Sequence, residues 1–227
     1  MNERGSQHMS AARRPSFLRD NALSIVIAVL FVACTLGQIF SGYADDASER
    51  REHARAAISL WQYLHTGAFG EAIFENWESE FLQMGLYVVL TSVLVQRGSA
   101  ESKDPDAPGP SPAKVLAVPW PARSTPLVRG LYAHSLSIAL FALFALSFTG
   151  HAICGASNYN DDARAHGSAL LTVWGYLASS RFWFESFQNW QSEFLSILAI
   201  VVLSIWLRER GSPESKAVTD PHAKTGA

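Results

Sequence analysis

Two carboxylates set among apolar residues are the first groups in this chain that could do chemistry. Glu80 stands with Asn76, Gln83, Tyr87 and Thr91 at spacings of 4, 3, 4 and 4, which puts all five on one helical face. A later segment repeats the pattern with Asn189, Glu193, Ser196, Ile200 and Ser204, polar everywhere except Ile200. A carboxylate within or beside hydrocarbon is costly, and such groups usually face a bundle interior or a wet cavity. Two of them could bind a cation or carry a proton, with burial raising their pKa and a donor lowering it. The commoner use is structural: Asn and Glu hydrogen-bond a neighbouring helix and fix the register of a membrane bundle. Simple exposure at the interface is the third option.

The histidines suggest less. Glu49-Arg50-Arg51-Glu52-His53 and Asp162-Ala163-Arg164-Ala165-His166 repeat an acid-x-Arg-x-His pattern, with Asp45, Asp46 and Asp161 nearby. His53 and His166 are weak metal candidates, because the spacing matches no strong metal motif and surface ion pairs explain it as well. Haem between paired histidines is not expected. His134 and His151 lie at opposite ends of one apolar run, and Asn21 and Gln38 stand at the equivalent places of the earlier one. Cys34 and Cys154 make neither a disulfide framework nor a CxxC pair. No nucleophile–base pair is apparent, so no catalytic residue and no cofactor is expected, and the chain reads as non-enzymatic.

The elements that position these residues follow from where charge is missing. Asp, Glu, Lys and Arg are absent from Asn21 to Ala44, Phe81 to Gln96, Gly130 to Asn160 and Phe194 to Leu207. About 20 helical residues cross a bilayer core, so the first and third runs read as spans outright and the other two are short. The run around Leu23–Phe40 is long for the apolar core of a signal peptide, and Tyr43-Ala44 is a weak cleavage site. An internal repeat settles the short runs. Shifted by 113 residues, 18–103 falls on 131–216 without a gap, and 32 of the 86 positions are identical. The strongest block is Phe74-Glu75-Asn76-Trp77-Glu78-Ser79-Glu80-Phe81-Leu82 over Phe187-Gln188-Asn189-Trp190-Gln191-Ser192-Glu193-Phe194-Leu195. Arg97-Gly98-Ser99-Ala100-Glu101-Ser102-Lys103 falls on Arg210-Gly211-Ser212-Pro213-Glu214-Ser215-Lys216, and Gly37 and Gly42 on Gly150 and Gly155. These glycines suit close helix approach.

The expected fold class is an all-α membrane protein: four transmembrane helices from two parallel tandem two-helix repeats, with outer interfacial helices. Repeat 1 covers 18–103, with spans at about 21–43 and 77–96. Repeat 2 covers 129–216, with spans at about 131–153 and 189–207. A disordered cytoplasmic tail is expected over 1–17, a Pro-rich cytoplasmic linker over 104–128 and a disordered tail over 217–227. The segment Gly98–Arg129 holds seven of the ten prolines and reads as a semi-extended tether, with a proline-rich docking site as the weaker option. An even number of spans per unit makes the repeats parallel. Thirteen of the 18 Lys and Arg fall in the tails and linker, which places both termini in the cytoplasm of a bacterial cell and the multi-pass chain in its inner membrane.

Residues 54–64 and 167–177 read as short outer helices ending in Trp-x-Tyr-Leu. Trp61, Tyr63, Trp77, Trp174, Tyr176 and Trp190 are expected to form an interfacial aromatic belt, with an aromatic-lined ligand vestibule as the sharper option. The net charge of −2 argues against nucleic acid as a partner. The lipid bilayer is the expected partner; a homo-oligomer is compatible, and no protein partner is indicated.

The Asn-Trp-[Glu/Gln]-Ser-Glu-Phe-Leu block, followed by Arg-Gly-Ser-x-Glu-Ser-Lys, resembles a bacterial family of small integral membrane proteins of unknown function. The resemblance covers nearly all of 18–216. It implies membrane location and bacterial origin, and no activity. The leading specific expectation is a small ion, proton or solute conduit built on Glu80 and Glu193. The alternative is a membrane scaffold or envelope-stress accessory that acts by binding partners.

Overall fold

The computed structural model describes residues 17–107 and 118–226. Much of the Pro-rich linker and nearly all of the N-terminal tail lie outside the described residues. Among those described, the fold is all α. The elements are α1 (Phe17–Asp20), α2 (Ala22–Glu52), α3 (Leu60–Tyr63), α4 (Gly67–Val93), a 3₁₀ turn (Trp120–Arg123), α5 (Pro126–Ala133), α6 (Ser135–His166), α7 (Val173–Leu177) and α8 (Ser180–Leu203). Four of these are long. Two, α2 and α6, are long and apolar enough to cross a membrane. α4 and α8 are less apolar, because Asn, Gln, Ser and Glu side chains fill their first halves.

The chain divides into two compact units at Leu64/His65. The first contains α1 to α3. α2 has no buried residue, and Val26, Val29, Leu30, Phe31 and Val32 are all exposed. At 1.5 Å per residue its 31 residues extend about 46 Å, more than a ~30 Å hydrocarbon core requires. Near its end Gly42 lies under the Tyr63 ring, and a β-carbon there would meet the hydroxyl at 2.2 Å. The Tyr43 hydroxyl donates to the Ile58 carbonyl at 2.9 Å.

The second unit packs α4 against both α6 and α8, with α7 joining α6 and α8. The α4–α6 contact runs through small residues. A β-carbon at Gly67 would lie 2.5 Å from the Asn158 amide, at Gly70 2.5 Å from Cys154 Sγ, and at Gly150 2.6 Å from the Phe74 ring. Close approach of this kind gives helices their van der Waals contact where no hydrophobic effect drives association. Farther along, Gln83 donates from Nε2 to the Glu193 carbonyl at 2.7 Å and to Ser196 Oγ at 2.8 Å, tying α4 to α8.

The outer segments are less helical than expected. Instead of helices over 54–64 and 167–177, only Leu60–Tyr63 and Val173–Leu177 are helical. The long helices stop at a residue of positive φ, Ala54 (50°) or Gly167 (66°), which occupy equivalent places in the two repeats. The chain then restarts at side-chain caps that are equivalent as well. Ser59 accepts from the Gln62 amide at 3.3 Å and Thr172 from the Gly175 amide at 3.0 Å. Thr66 and Ser179 cap α4 and α8 by accepting from Phe69 at 3.2 Å and Phe182 at 3.3 Å. These hydroxyls satisfy amides that a helix start leaves unpaired. α4 therefore begins at Gly67, ten residues before Trp77, and Asn76-Trp77 sits inside the helix.

At the far end of the second unit the two Arg-Gly-Ser segments meet the C-terminal residues. Gly98 and Gly211 both adopt positive φ (84° and 86°). Lys216 is 1% exposed, and its ammonium donates to the carbonyls of Gly98, Ile205, His222 and Lys224. The Gly98 amide donates to Thr225 Oγ1 at 2.9 Å and the Gly226 amide to the Ser99 carbonyl at 2.9 Å. Residues 217–226, expected as part of a disordered tail, instead wrap this junction in turns.

Candidate functional site

On α4, Glu71, Glu75 and Glu78 are spaced 4 and 3 apart, so one face of the helix presents three carboxyl groups. α6 turns His151, Gly155 and Asn158 toward them, α7 supplies Tyr176, and α8 supplies Arg181, Glu185, Asn189 and Trp190. The side chains of Glu78, His151 and Tyr176 are fully buried, and Glu71 is 6% exposed.

His151 is the centre of the arrangement. Its Nδ1 lies 2.8 Å from Glu78 Oε2, and the other oxygen of Glu78 accepts from Trp190 Nε1 at 3.0 Å. A carboxylate held at Nδ1 makes that nitrogen the donor, which leaves Nε2 as the ring position turned toward Glu185. Nε2 makes no hydrogen bond and stops 3.6 Å from Glu185 Oε2. The ring lies against Phe182, with centroids 4.6 Å apart, and Phe148 and Tyr176 meet Phe182 edge-on. This apolar wall lowers the local dielectric, and charges count for more behind it.

Tyr176 joins two of the glutamates. Its hydroxyl lies 2.7 Å from Glu71 Oε1 and 2.5 Å from Glu185 Oε2. Burial, with the two glutamates adding to it, pushes the phenol far above its ordinary range, so it keeps its proton. A phenol has one hydrogen to give. One of the two carboxyl oxygens is therefore left without a donor from Tyr176. Glu71 also accepts from Asn158 Nδ2, Glu185 from Arg181 Nε at 2.8 Å, and Glu75 from Asn189 Nδ2 at 3.0 Å. Glu185 precedes the apolar part of α8. Burial pushes its carboxyl up, but His151, Tyr176 and Arg181 outweigh burial and hold it at about 2.

Packing fixes this geometry. Gly155 has no side chain where a β-carbon would stand 2.7 Å from the Tyr176 hydroxyl and 2.8 Å from Glu71 Oε1. The same contact in the first unit is Gly42 against Tyr63, 113 residues earlier in each case.

A family model described as a domain of unknown function, DUF6766, matches residues 14–227. The chain belongs to this family. No curated protein and no solved structure matches it. For this DUF6766 chain, the chemistry has to be read from the site alone.

The residues expected as a polar stripe are spread out. Asn76 and Glu80 are exposed, Gln83 and Ser204 are buried, and Thr91, Asn189 and Glu193 are half-buried. Asn76 and Thr91 bond back to their own helix, at the carbonyls of Ala72 and Tyr87. Ser196, although exposed, receives Gln83, and Ser204 meets Ser99 hydroxyl to hydroxyl at 3.0 Å. Only Asn189 reaches the buried centre. The aromatic set splits by repeat position: Trp61 and Trp174 point outward at 71% and 81% exposure, whereas Tyr63 and Tyr176 point inward. Trp77 is exposed and Trp190 half-buried. His53 and His166 are exposed at the ends of α2 and α6, each ring beside a carbonyl of its own helix.

Sequence reasoning missed the centre itself. It looked for polar residues shared by the two repeats, whereas the centre is made where they differ. Gln38 stands opposite His151 in the repeat, Phe184 opposite Glu71, Gln191 opposite Glu78 and Ala72 opposite Glu185. That pattern of divergence was the available signal.

Proposed function

We propose that this chain is a four-span bacterial inner-membrane protein that handles a cation, a proton or a metal ion, at the Glu71–Glu78–His151–Glu185 centre. The exposed apolar lengths of α2 and α6 support membrane residence, and the Lys and Arg bias supports cytoplasmic termini. In this reading α4 and α8 complete the bundle through their apolar halves. The centre then lies at the outer end, where Glu78 and His151 sit inside the boundary and Tyr176 and Glu185 just outside it. Such a protein needs no nucleophile and is not an enzyme.

One observation carries the reading. Four carboxyl groups, from Glu71, Glu75, Glu78 and Glu185, face one imidazole and one guanidinium. Even with His151 charged, neutrality requires two further positive charges, and a site walled by Phe182 and Phe148 makes an unbalanced charge costly. Two protons would supply them; a divalent ion bound at Nε2, which requires the neutral imidazole, would supply two of the three charges then needed, and one proton the third. Ionisable groups buried at this depth generally mark ion or proton pathways. The Glu80–Glu193 pair follows the centre along the α4–α8 seam and would form the next step inward.

The test is ion flux in proteoliposomes, read with a lumenal pH dye and, separately, with a metal-sensitive dye. Glu185→Gln and His151→Gln should each abolish flux while the protein still melts cooperatively. Flux equal to wild type in both variants would refute the reading.

A further inference from the structure

We infer that the centre is a binding site for one divalent first-row transition-metal ion, ligated by Glu71, His151 Nε2 and Glu185. This rests on the cation-handling reading and names its substrate class. One donor atom from each of the three residues lies within 4.8 Å of the other two. Metal–N and metal–O bonds of about 2.1 Å would put such donors roughly 3.4–4.2 Å apart, so side-chain shifts of about an ångström bring them to bonding distance.

The imidazole is what separates this cluster from a merely acidic patch. His151 is fully buried, its Nε2 has no hydrogen-bond partner, and that nitrogen lies on the side of Glu185. Its other nitrogen is already held by Glu78, and Glu78 is in turn held by Trp190. Histidines that bind metal almost always donate the second N–H to a carboxylate, a backbone carbonyl or water, which fixes the tautomer and strengthens the nitrogen as a ligand. Here that outer partner stands in place around a nitrogen with nothing to bind. Tyr176 completes the logic. Its single proton serves one of two carboxylates, and a metal ion between Glu71 and Glu185 serves the oxygen that the phenol leaves.

The donor set selects the class of ion. One imidazole with two carboxylates suits zinc, manganese, ferrous iron or cobalt. Magnesium and calcium favour all-oxygen shells, and monovalent copper favours sulfur. Three protein ligands leave at least one position open for water or for exchange.

The full-length protein, purified in detergent and stripped with a chelator, is titrated with Zn²⁺ against a chromophoric chelator and with Co²⁺ by visible absorption. One ion per chain is expected, without competition from Mg²⁺ or Ca²⁺. His151→Gln should weaken binding at least 100-fold and Glu71→Gln at least tenfold. Glu78→Gln, which leaves all three ligands intact, should weaken it about 10- to 100-fold. Glu209→Gln, exposed beyond the far end of α8, should leave it unchanged. If His151→Gln fails to fold, Glu71→Gln decides in its place, since its amide keeps a carbonyl for Tyr176 or Asn158. Wild-type protein that takes up no more Zn²⁺ or Co²⁺ than these variants overturns the inference. Proton flux that depends on Glu185 without metal uptake also overturns it, but leaves the cation-handling reading standing. Metal uptake without flux of any ion supports the inference and removes the transport reading.

Discussion

Replacing Glu78 with glutamine would test whether the buried centre has the polarity assigned to it. Glu78 accepts two hydrogen bonds, from His151 Nδ1 at 2.8 Å and from Trp190 Nε1 at 3.0 Å. A glutamine has one accepting oxygen and one donating amide. The indole N–H only donates, so the oxygen must turn to Trp190 and the amide to His151. His151 then has to carry its proton on Nε2, facing Glu185. Two charge-assisted bonds of about 1.5–3 kcal/mol each become neutral ones of about 1 kcal/mol each, a net loss of about 1–4 kcal/mol. At about 2–4 °C per kcal/mol, the melting temperature in detergent should fall by roughly 2–16 °C. Glu78→Ala leaves both donors buried and unpaired and should cost about 3–5 kcal/mol. Glu80→Gln, at an exposed site two residues away, should stay within about 0.5 kcal/mol of wild type. Melting curves of the four proteins at one pH give the comparison. A Glu78→Gln protein that melts with wild type, or a Glu80→Gln protein that falls further, would refute the reasoning.

Three other outcomes are expected. Ala54→Gly should stabilise the chain by about 0.5–1 kcal/mol, because Ala54 holds a φ of 50° that glycine adopts freely, as Gly167 does at the equivalent place; a lower melting temperature would count against it. Lys216→Met should cost about 3 kcal/mol or more, since it strips the donor from buried carbonyls, whereas Lys103→Met at the exposed equivalent should change little; equal melting shifts would contradict this. Burial pushes the Glu101 carboxyl above its ordinary 4.5, Glu214 adds to that, and the Tyr87 hydroxyl opposes it. A raised carboxyl favours the protonated folded state, so its contribution is full below pH 4.5 and is lost as pH rises through the folded value. Glu101→Gln should therefore match wild type near pH 4, melt higher at pH 7 and show a flatter profile between; a wild-type profile already flat from pH 4 to 8 would disprove it.

The parts of the fold that could be read in the sequence are those governed by local rules. Charge-free runs identify α2 and α6, because length and hydropathy are additive properties of a segment. Repeat alignment also pairs Gly42 with Gly155 and Tyr63 with Tyr176, and the structure shows the same glycine–tyrosine contact in both units. The early start of α4 was not legible. Glu71, Glu75 and Glu78 look like an outer loop to any rule that counts charge, and they become helical because Thr66 caps the segment and Gly67 and Gly70 let it lie against α6. The centre was illegible for a different reason. Its residues come from three separate helices and the short α7, and no spacing rule joins Glu71 to His151 or to Glu185.

Duplication and divergence therefore have separate roles in this chain. The features held in common by the repeats are mechanical: helix caps at Ser59 and Thr172 and at Thr66 and Ser179, a glycine under a tyrosine ring, and a positive-φ glycine in each Arg-Gly-Ser segment. They fix where helices begin, end and approach, and two copies tolerate them equally well. The polar centre cannot be symmetric. A second set of four carboxyl groups would add a second deficit of positive charge, at the same desolvation cost, within one small protein. Phe184, Gln191, Gln38 and Ala72, which stand at the places equivalent to Glu71, Glu78, His151 and Glu185, are all neutral and avoid that cost. A centre with three carboxyl groups on α4 of the first repeat and its imidazole on α6 of the second uses each repeat differently: of the matched Asn-Trp pairs, Asn189 and Trp190 reach it, whereas Asn76 and Trp77 are exposed.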